Sequence, residues 1–549
     1  MSGGKEYAVQ EFVRELNAGF DYLTGFLAAV ERGPGRPALS CTTRQQRWTY
    51  RELDAEANRL ARALRAAGLA CGDVVMCSLF NTPEFAFCFL GALKAGVIFA
   101  PINFRLSAGE IALHLQDSLP AAYVYDAALA PAAREALALS HHRPELVVVV
   151  GGEAEHGAVG YQRLVRGHPD SEVIPEALGP SGEIVRLYTS GTTGLPKGVP
   201  LTNVNNVLRA VDVIMHFPLT PLDRTMNLTP WFHAGGLHSG GPCPAFYAGA
   251  EVVALREFRP REVLRHIERY GITFIIGSPS TLELLARAQE KHRADLRTLK
   301  GVVAMGSPLV RESCLRFAET LSPNLYNGYG TTETFWNTIL RPFDLPDHAG
   351  AAGRACTGDQ VRVVRLDEEV EHGDPEDVVA RDGVEEGEVI IRTLKAPFTY
   401  HNNPEETRKH YHKGWYYTGD VGTWDEEGFV TVRGRRDHML LVGGENVHPA
   451  QVEGVINEHP KVADSLVVGV ADPVKGQVPA AYVVPADPAL TVDELRGFLL
   501  RHHGLADFKR PRYFRLVEEL PMTPTGKKKH YVASRWAQSD FAVPSGAAT

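Results

Sequence analysis

Short apolar segments alternate with amphipathic helical segments along much of this chain, which leaves few folds open to it. Residues 51–67 and 83–95 have helical periodicity, and residues 73–79 between them have the pattern of a buried strand. The same order returns later, where a helical pattern at 262–270 precedes the apolar segment 272–276. Strands that alternate with helices build largely parallel sheets, because each connecting helix packs on a face of the sheet. The pattern therefore predicts an α/β fold.

The chain has 549 residues, which is too long for one compact core, so we expect two domains. Towards its end the sequence changes to a compact mixed segment, with strands expected at 465–470 and 480–484 and a helix at 492–502. We predict a large N-terminal domain over residues 1–436, with mostly parallel sheets flanked by helices. A small α+β domain is expected over residues 437–549.

Composition narrows the expected partners and location of the chain. The formal net charge is −9, from 57 Lys and Arg against 66 Asp and Glu, so we expect neither nucleic acid nor a membrane as partner. Seven cysteines without C-x-x-C spacing predict free thiols in a reducing compartment. The first residues lack the layout of a signal peptide, and the apolar stretch 74–104 carries Glu84 and Lys94. These features predict a cytoplasmic location.

The sharpest local signal is the segment EIVRLYTSGTTGLPKG at residues 183–198, where glycines and hydroxyl residues follow a strand pattern at 184–188. Glycines let a backbone wrap around an anion with its N–H groups pointing inward, hydroxyls add donors, and a lysine adds positive charge. The segment lacks the GxxxxGK[ST] pattern of a Walker A loop, and a flexible turn is the alternative for a lone glycine-rich loop. We predict that a triphosphate is bound by Thr189, Ser190, Gly191, Thr192, Thr193, Gly194 and Lys197.

The sequence YTSGTTGLPKG resembles the signature of the AMP-forming adenylating superfamily. This superfamily contains acyl- and aryl-CoA synthetases, free-standing adenylation domains and firefly-type luciferases. Further superfamily motifs follow in the expected order between Tyr188 and Lys527, and several independent matches in order are improbable by chance. The chain is therefore identified as a member. The resemblance implies that it uses ATP, Mg²⁺ and coenzyme A, and that its C-terminal domain is mobile.

The segment YNGYGTTET at residues 326–334 combines groups that suit a nucleotide. A tyrosine ring can stack on a purine, threonine hydroxyls can bind a phosphate, and a carboxylate offers hard oxygen ligands to Mg²⁺. A strand-end turn is the alternative. By resemblance, Asn327 and Tyr329 contact adenine, Thr331 contacts the α-phosphate, and Glu333 holds the metal, the last two as catalytic residues. The resemblance adds nearby small residues to the nucleotide site, namely Gly306, Ser307, Pro308, Gly328 and Gly330.

The segment NLTPWFHAGG places His233 among aromatic residues and before two glycines. An isolated histidine of this kind is more often a core residue with a satisfied ring. The resemblance instead assigns it to the acid site, as a catalytic residue that gates the site between two steps. The expected acyl pocket favours an apolar, bulky or aromatic acid, and Met305 adds bulk where the family usually has glycine. The expected pocket residues are Trp231, His233, Ala304, Met305 and Gly328.

Two segments further along are assigned by the resemblance. In GWYYTGD, Asp420 matches a ribose-binding aspartate, and a turn-capping Asp is the alternative. In GRRDHMLLVGGENVHPAQVE, Arg435 matches a second contact to ribose and phosphate, and Asp437 matches the hinge about which the C-terminal domain reorients. Gly443 and Gly444 match the loop that lines the pantetheine tunnel, where bare backbone would let a thiol approach. An ordinary turn is the alternative for these two glycines.

The C-terminal domain carries two basic segments of interest. In PMTPTGKKK, Lys527 matches the lysine that bridges the acid carboxylate and the α-phosphate as charge develops in the transition state. In ADFKRPRYF, Phe508 and Arg510 match residues that hold the CoA nucleotide, and a solvated basic turn is the alternative. Lys475 stands where the family often has an aromatic residue near the CoA adenine, which weakens the case for stacking there.

These residues together predict an AMP-forming acyl-CoA ligase. The acid would attack ATP to form an acyl-adenylate, and rotation of the C-terminal domain would then bring the CoA thiol to it. One alternative is a stand-alone adenylation enzyme that loads a carrier protein. Others are a member that runs only one half-reaction and a luciferase-like oxygenase.

Overall fold

The computed structural model describes residues 21–155, 157–173, 178–190, 196–366, 370–436, 438–522 and 528–541. The strands, in chain order, are β1 (Pro37–Cys41), β2 (Gln46–Thr49), β3 (Val74–Ser78), β4 (Ile98–Pro101), β5 (Ala122–Asp126), β6 (Leu146–Val150), β7 (Val159–Gly160), β8 (Glu183–Ser190), β9 (Pro196–Thr202), β10 (Arg224–Asn227), β11 (Glu251–Ala254), β12 (Phe274–Gly277), β13 (Gly301–Met305), β14 (Leu325–Thr331), β15 (Phe335–Leu340), β16 (Arg354–Ala355), β17 (Gln360–Arg365), β18 (Gly387–Arg392), β19 (Tyr411–His412), β20 (Trp415–Trp424), β21 (Val430–Arg435), β22 (Leu440–Val442), β23 (Glu445–Val447), β24 (Val462–Asp472), β25 (Gly476–Pro485) and β26 (Tyr513–Leu516). The α-helices, in chain order, are α1 (Tyr22–Arg32), α2 (Tyr50–Ala66), α3 (Pro83–Ala95), α4 (Ala108–Ser118), α5 (Ala130–Leu139), α6 (Tyr161–Val165), α7 (Asn203–His216), α8 (Ala234–His238), α9 (Pro242–Ala248), α10 (Pro260–Tyr270), α11 (Pro279–His292), α12 (Arg311–Thr320), α13 (Pro404–His410), α14 (Pro449–Asn457), α15 (Val492–Arg501) and α16 (His530–Asp540).

A seven-stranded sheet forms the first layer, with the order β7-β6-β5-β3-β4-β8-β9. Its pairs are parallel except β8 with β9, as the alternation of strands and helices predicts. Helix α3 begins at Pro83, whose missing N–H costs nothing at this position, and ends before Gly96, which adopts a φ of 79°. All thirteen residues of α3 are buried, so the apolar stretch of the sequence is a core helix.

A nine-stranded sheet, with the order β16-β15-β14-β13-β12-β10-β11-β1-β2, forms the second layer. Its central pairs, from β1 to β14, are parallel, so the carboxyl ends of β10, β12, β13 and β14 lie along one edge. Ligands of open parallel sheets bind at such an edge, because the loops that follow the strands converge there. The segments with candidate site residues after β10, at the end of β13 and in β14 therefore come together.

Two smaller sheets complete the structure. Strands β17 to β21 form an antiparallel five-stranded sheet, which the sequence did not indicate as a separate layer. Strands β22 to β26 form the sheet of the C-terminal α+β unit, in which only the pair β25 and β26 is parallel. The change from one sheet to the next falls between Arg435 and Leu440, and the domain boundary at residue 437 stays a prediction. Among the described residues, no helix combines the length and the apolar character that crossing a membrane requires.

Candidate active site

A cavity of ≈1050 Å³ lies at the carboxyl edge of the nine-stranded sheet and is closed on one side by the C-terminal unit. Residues from the predicted phosphate, nucleotide, acid and thiol sites share its wall. The predicted site residues that line it are Thr189, Lys197, His233, Met305, Gly306, Ser307, Pro308, Asn327, Gly328, Tyr329, Gly330, Thr331, Glu333, Asp420, Arg435, Gly444 and Phe508.

Four predicted site residues do not line this cavity. Trp231 is 1% exposed and packs edge-on against Phe85, with ring centroids 5.5 Å apart, so it belongs to the core. Ala304 precedes Met305 on β13, and because neighbouring strand residues point to opposite faces, Ala304 is in the core beneath the sheet. Arg510 instead pairs with Asp507, and Gly443 is not part of the cavity wall that Gly444 joins. Gly191, Thr192, Thr193, Gly194, Asp437 and Lys527 lie outside the described residues, as does the side chain of Ser190.

At one end of the cavity, Asp420 joins two of the predicted nucleotide residues. The Tyr329 hydroxyl donates to the Asp420 carboxylate over 2.6 Å, and the Arg435 guanidinium donates to it over 2.9 Å. The pairing of β20 with β21 places Asp420 directly opposite Arg435. Burial and the charge of Asp420 raise the pKa of Tyr329 well above its usual value, so its hydroxyl stays protonated as a donor. Carboxylate, guanidinium and phenol thus form a polar wall that suits the ribose expected at Asp420 and Arg435, and the contact of Tyr329 with adenine stays a prediction.

Glu333 is a buried carboxylate in the cavity wall. Its Oε1 atom accepts a 2.6 Å hydrogen bond from the Tyr400 hydroxyl. Burial raises its pKa, but the charge of Lys197 and the Tyr400 hydrogen bond outweigh that effect, and the net pKa lies below the ordinary value. The carboxylate is therefore ionised at neutral pH, and ionised carboxylate oxygens are ligands that Mg²⁺ accepts. The residues present thus fit a magnesium ion.

A fully buried arginine donates hydrogen bonds to the backbone of the loop that carries Glu333. Arg209, on α7, donates from one nitrogen to the backbone carbonyls of Thr332 and Glu333, each over 3.0 Å. Burial lowers the pKa of Arg209 to about 10, which leaves it charged at neutral pH. This residue lies outside every segment that the sequence singled out, and a contact across more than 120 positions has no local signal.

Three polar side chains line the part of the cavity where the phosphates are expected. Lys197, on β9, is 8% exposed and pairs with Glu406 over 3.0 Å. The buried Thr189 hydroxyl has no hydrogen-bond partner within the part of the chain that the structure describes. The Thr331 hydroxyl shares a 3.0 Å hydrogen bond with Thr334. A buried hydroxyl is costly to leave unpaired, so one that no described residue satisfies is suited to a ligand such as a phosphate.

Backbone shape explains the glycines of the nucleotide loop. A methyl group on Gly330 would lie 1.4 Å from the carbonyl oxygen of Phe335, so only glycine permits the pairing of β14 with β15. Gly306, at the end of β13, adopts a φ of 85°, which side chains rarely tolerate.

His233 contacts a residue of the C-terminal unit. Its Nε2 atom lies 3.0 Å from the carboxylate of Glu445, which also accepts from Asn103 and Arg105 over 2.9 and 3.0 Å. Burial raises the pKa of Glu445, but His233 and Arg105 lower it more, and the net shift is downward. Glu445 directly follows Gly443 and Gly444, whose φ angles of 61° and 87° form the two-residue turn between β22 and β23. Glu445 was not among the predicted site residues, although it adjoins the predicted glycines.

Comparison with known proteins identifies the family. The family model described as AMP-binding enzyme matches residues 26–395, and the AMP-binding enzyme C-terminal domain matches residues 451–527. An indoleacetate–CoA ligase of Aromatoleum aromaticum is 32% identical over 499 residues, covering 90% of this chain and 94% of the relative. A fatty acid–[acyl-carrier-protein] ligase of Streptomyces coeruleorubidus is 32% identical over 514 residues, covering 92% and 93%.

A solved structure supports the same conclusion. An o-succinylbenzoate CoA synthetase of Bacillus subtilis is similar with a TM-score of 0.81 at 27% identity, covering 92% of this chain and 97% of that chain. The predicted fold class, a large α/β domain with a small C-terminal domain, is thereby confirmed. The family model spans more than half of the chain, so the predicted superfamily is confirmed as well, and the chain belongs to the AMP-binding enzyme family.

Proposed function

We propose that this chain is an AMP-forming acyl-CoA ligase of the cytoplasm that activates an apolar carboxylic acid. One observation carries the proposal: the polar wall of Tyr329, Asp420 and Arg435, the carboxylate of Glu333 and the glycine turn at Gly444 share one cavity. A nucleotide, an acid and a thiol can therefore meet without leaving it. The indoleacetate–CoA ligase among the relatives supports the same chemistry.

In the first step, a carboxylate oxygen of the acid attacks the α-phosphorus of ATP. The new P–O bond gives the acyl-adenylate, and the bond to the β-phosphate breaks to release pyrophosphate. Asp420 holds the ribose hydroxyls, Thr189 and Lys197 hold the phosphates, and Lys527 neutralises the charge that develops at phosphorus. Glu333 would hold Mg²⁺, which supplies charge neutralisation for the triphosphate when bound. Most of the rate enhancement then comes from positioning and electrostatics.

In the second step, the thiol sulfur attacks the acyl carbon of the adenylate. The C–S bond forms, the bond between the acyl carbon and the AMP oxygen breaks, and the thiol proton passes to solvent. Gly444 presents bare backbone to this path, and Glu445 holds His233 beside it over 3.0 Å. Asp437 is proposed as the hinge for the change between the steps, with residues 437–549 moving as one domain.

The thiol acceptor and the acid substrate both belong to the proposal, and each has one alternative. A carrier protein is the alternative acceptor, because one relative is a ligase for an acyl-carrier protein. For the acid, Phe232, His233 and Met305 lie together in the cavity wall, which favours a flat or branched apolar group over acetate. Competition between CoA and a phosphopantetheinyl protein for the same acyl-adenylate decides between the acceptors.

The proposal is tested by pyrophosphate release from Mg·ATP with a panel of arylacetic, cinnamic and medium-chain fatty acids, with and without CoA. We expect one class of acid to release pyrophosphate, and a thioester to form only when CoA is present. Absence of pyrophosphate with every acid, in a protein that binds ATP, would contradict the proposed first step.

Met305 is expected to limit the size of the acid. Its terminal methyl group lies across Gly235, where an added Cβ would be only 2.5 Å from the Met305 Cε atom. Met305→Ala should therefore raise kcat/KM for bulky acids relative to small ones about tenfold, since a few methylene groups in an apolar pocket are worth that much discrimination. Met226→Ala, which truncates a fully buried methionine outside the cavity, is the matched control. An unchanged preference in Met305→Ala would remove Met305 from the acyl pocket.

A further inference from the structure

A short segment of the N-terminal domain makes several polar contacts with the C-terminal unit. Residues 103–110, which we call the docking segment, include the first residues of helix α4 and make these contacts within the part of the chain that the structure describes. Asn103 and Arg105 bind Glu445, and the N–H of Gly109 donates to the carbonyl of His503 over 3.1 Å. The docking segment lay outside every predicted site.

At the centre of this contact is a buried ion pair. Lys509 donates from its Nζ atom to the Glu110 carboxylate over 2.5 Å, and the two side chains are 5% and 4% exposed. Gln451 joins them, accepting from Lys509 over 3.0 Å and donating to Glu110 over 3.3 Å. A buried charge that loses its partner is strongly unfavourable, so removing either partner should weaken the contact between the two units.

The two carboxylate oxygens of Glu110 make different contacts, one at the start of helix α4 and one with the C-terminal unit. Its Oε2 atom accepts from the backbone and hydroxyl of Ser107, which closes the capping box of α4, and its Oε1 atom accepts from Lys509. Glutamine closes a capping box as well as glutamate does. Glu110→Gln therefore keeps the helix start, and it replaces the charged oxygen that accepts from Lys509 and Gln451 with an amide N–H group that cannot accept.

Gly109 permits a close approach that any side chain would block. A methyl group at this position would lie 2.9 Å from the carbonyl oxygen of His503 and 3.3 Å from the Cα atom of Gly504. The three nearest atoms to such a methyl group, apart from the helix itself, belong to His503 and Gly504 of the C-terminal unit. Alanine is otherwise the better helix former, so the glycine serves docking rather than the helix.

The docked orientation presents one part of the C-terminal unit to the cavity. Gly444, Lys475 and Gly476 line the cavity, whereas Met522 and Lys528, which flank residues 523–527, do not. We propose that Gly109, Glu110 and Lys509 are positioning residues for the thiol step, because they hold the domain where its glycine turn faces the acyl-adenylate. This inference rests on the proposed function.

The first test separates the two half-reactions in Gly109→Ala and Glu110→Gln. Thioester formation from a supplied acyl-adenylate and CoA should fall about tenfold or more, because the docked population falls, while single-turnover pyrophosphate release should stay within about twofold. Glu135→Gln is the matched control, since its 2.8 Å pair with His503 lies on the same face but is exposed. Gly109→Ala should also keep or raise the Tm, which separates its effect from unfolding. Equal losses in both half-reactions, or no loss in the thiol step, would overturn the proposal.

The second test reads the orientation without any activity. Spin labels at Glu257→Cys and Asp493→Cys report the distance between the domains. Both are introduced into a Cys71→Ser background, which removes the one exposed cysteine of the described residues. Gly109→Ala and Lys509→Met should each lower the population at the wild-type distance. The double variant Glu110→Gln/Lys509→Met should lose less than the two single effects combined, because neither charge is left buried alone. Distance distributions equal to that of the wild type in all variants would overturn the proposal. This measurement needs no activity, so its outcome does not depend on whether the acid panel supports the proposed function.

Discussion

Lys527→Ala is expected to slow the first half-reaction about 100- to 1000-fold and to leave the second nearly unchanged. The reason is charge: the lysine offsets the negative charge that builds at the α-phosphorus, and one donor aimed at such a charge is worth that much in rate. The mixed anhydride already exists when the thiol attacks, so this help is no longer needed. Single-turnover pyrophosphate release measures the first step, and thioester formation from a supplied acyl-adenylate measures the second.

A matched variant two residues along controls for the loss of a positive charge in this segment. Lys529→Ala removes the same charge next to helix α16 and should keep both half-reactions near the wild-type rates. Equal losses of both half-reactions in Lys527→Ala would falsify the division of roles between the two steps.

Glu333→Gln should lower the rate of pyrophosphate release about 100-fold and raise the Mg²⁺ concentration that gives half-maximal rate. Glutamine keeps an oxygen for the Tyr400 hydroxyl, which donates to Glu333 over 2.6 Å, but it has no charge to offer a cation. Removing a buried, ionised carboxylate from the cavity wall therefore weakens the metal site rather than the fold. Thioester formation from a supplied adenylate should change little, because pyrophosphate has left by then.

Another buried glutamate provides the control for general damage. Glu251 is 3% exposed and is held by Arg47 and Arg224 at the far side of the same sheet. Glu251→Gln should lower the Tm without moving the Mg²⁺ dependence. A Glu333→Gln enzyme with the Mg²⁺ dependence of the wild type would show that this carboxylate does not hold the metal.

The local sequence was enough to predict helices whose ends are marked by particular residues and strands that are buried on both faces. Helix α3 begins and ends where its pattern predicts, because Pro83 and Gly96 mark its ends. Strands β3 and β12 were predicted from short apolar runs, since both faces of a parallel sheet are covered. The antiparallel sheet of β17 to β21 gave no such signal, because its strands β17 and β21 are partly exposed and carry polar residues among the apolar ones.

Candidate site residues could be predicted where they share one short segment of the sequence. They could not be predicted where the contact joins residues that are far apart in the chain. Thr331 and Glu333 share a segment with clear chemistry, and both line the cavity. Ala304 fails because one position along a strand reverses the face that a side chain occupies. Glu110 and Lys509 are 399 positions apart, so neither spacing nor composition links them.

The most direct test of the central claim is a rapid-quench experiment with enzyme in excess over the acid, followed by mass spectrometry of the products. If the chain is an acyl-CoA ligase, acyl-adenylate and pyrophosphate appear together without CoA, and added CoA converts the adenylate to acyl-CoA and AMP. An acyl-adenylate that CoA does not consume, or an acyl-CoA that forms without AMP, would contradict the account.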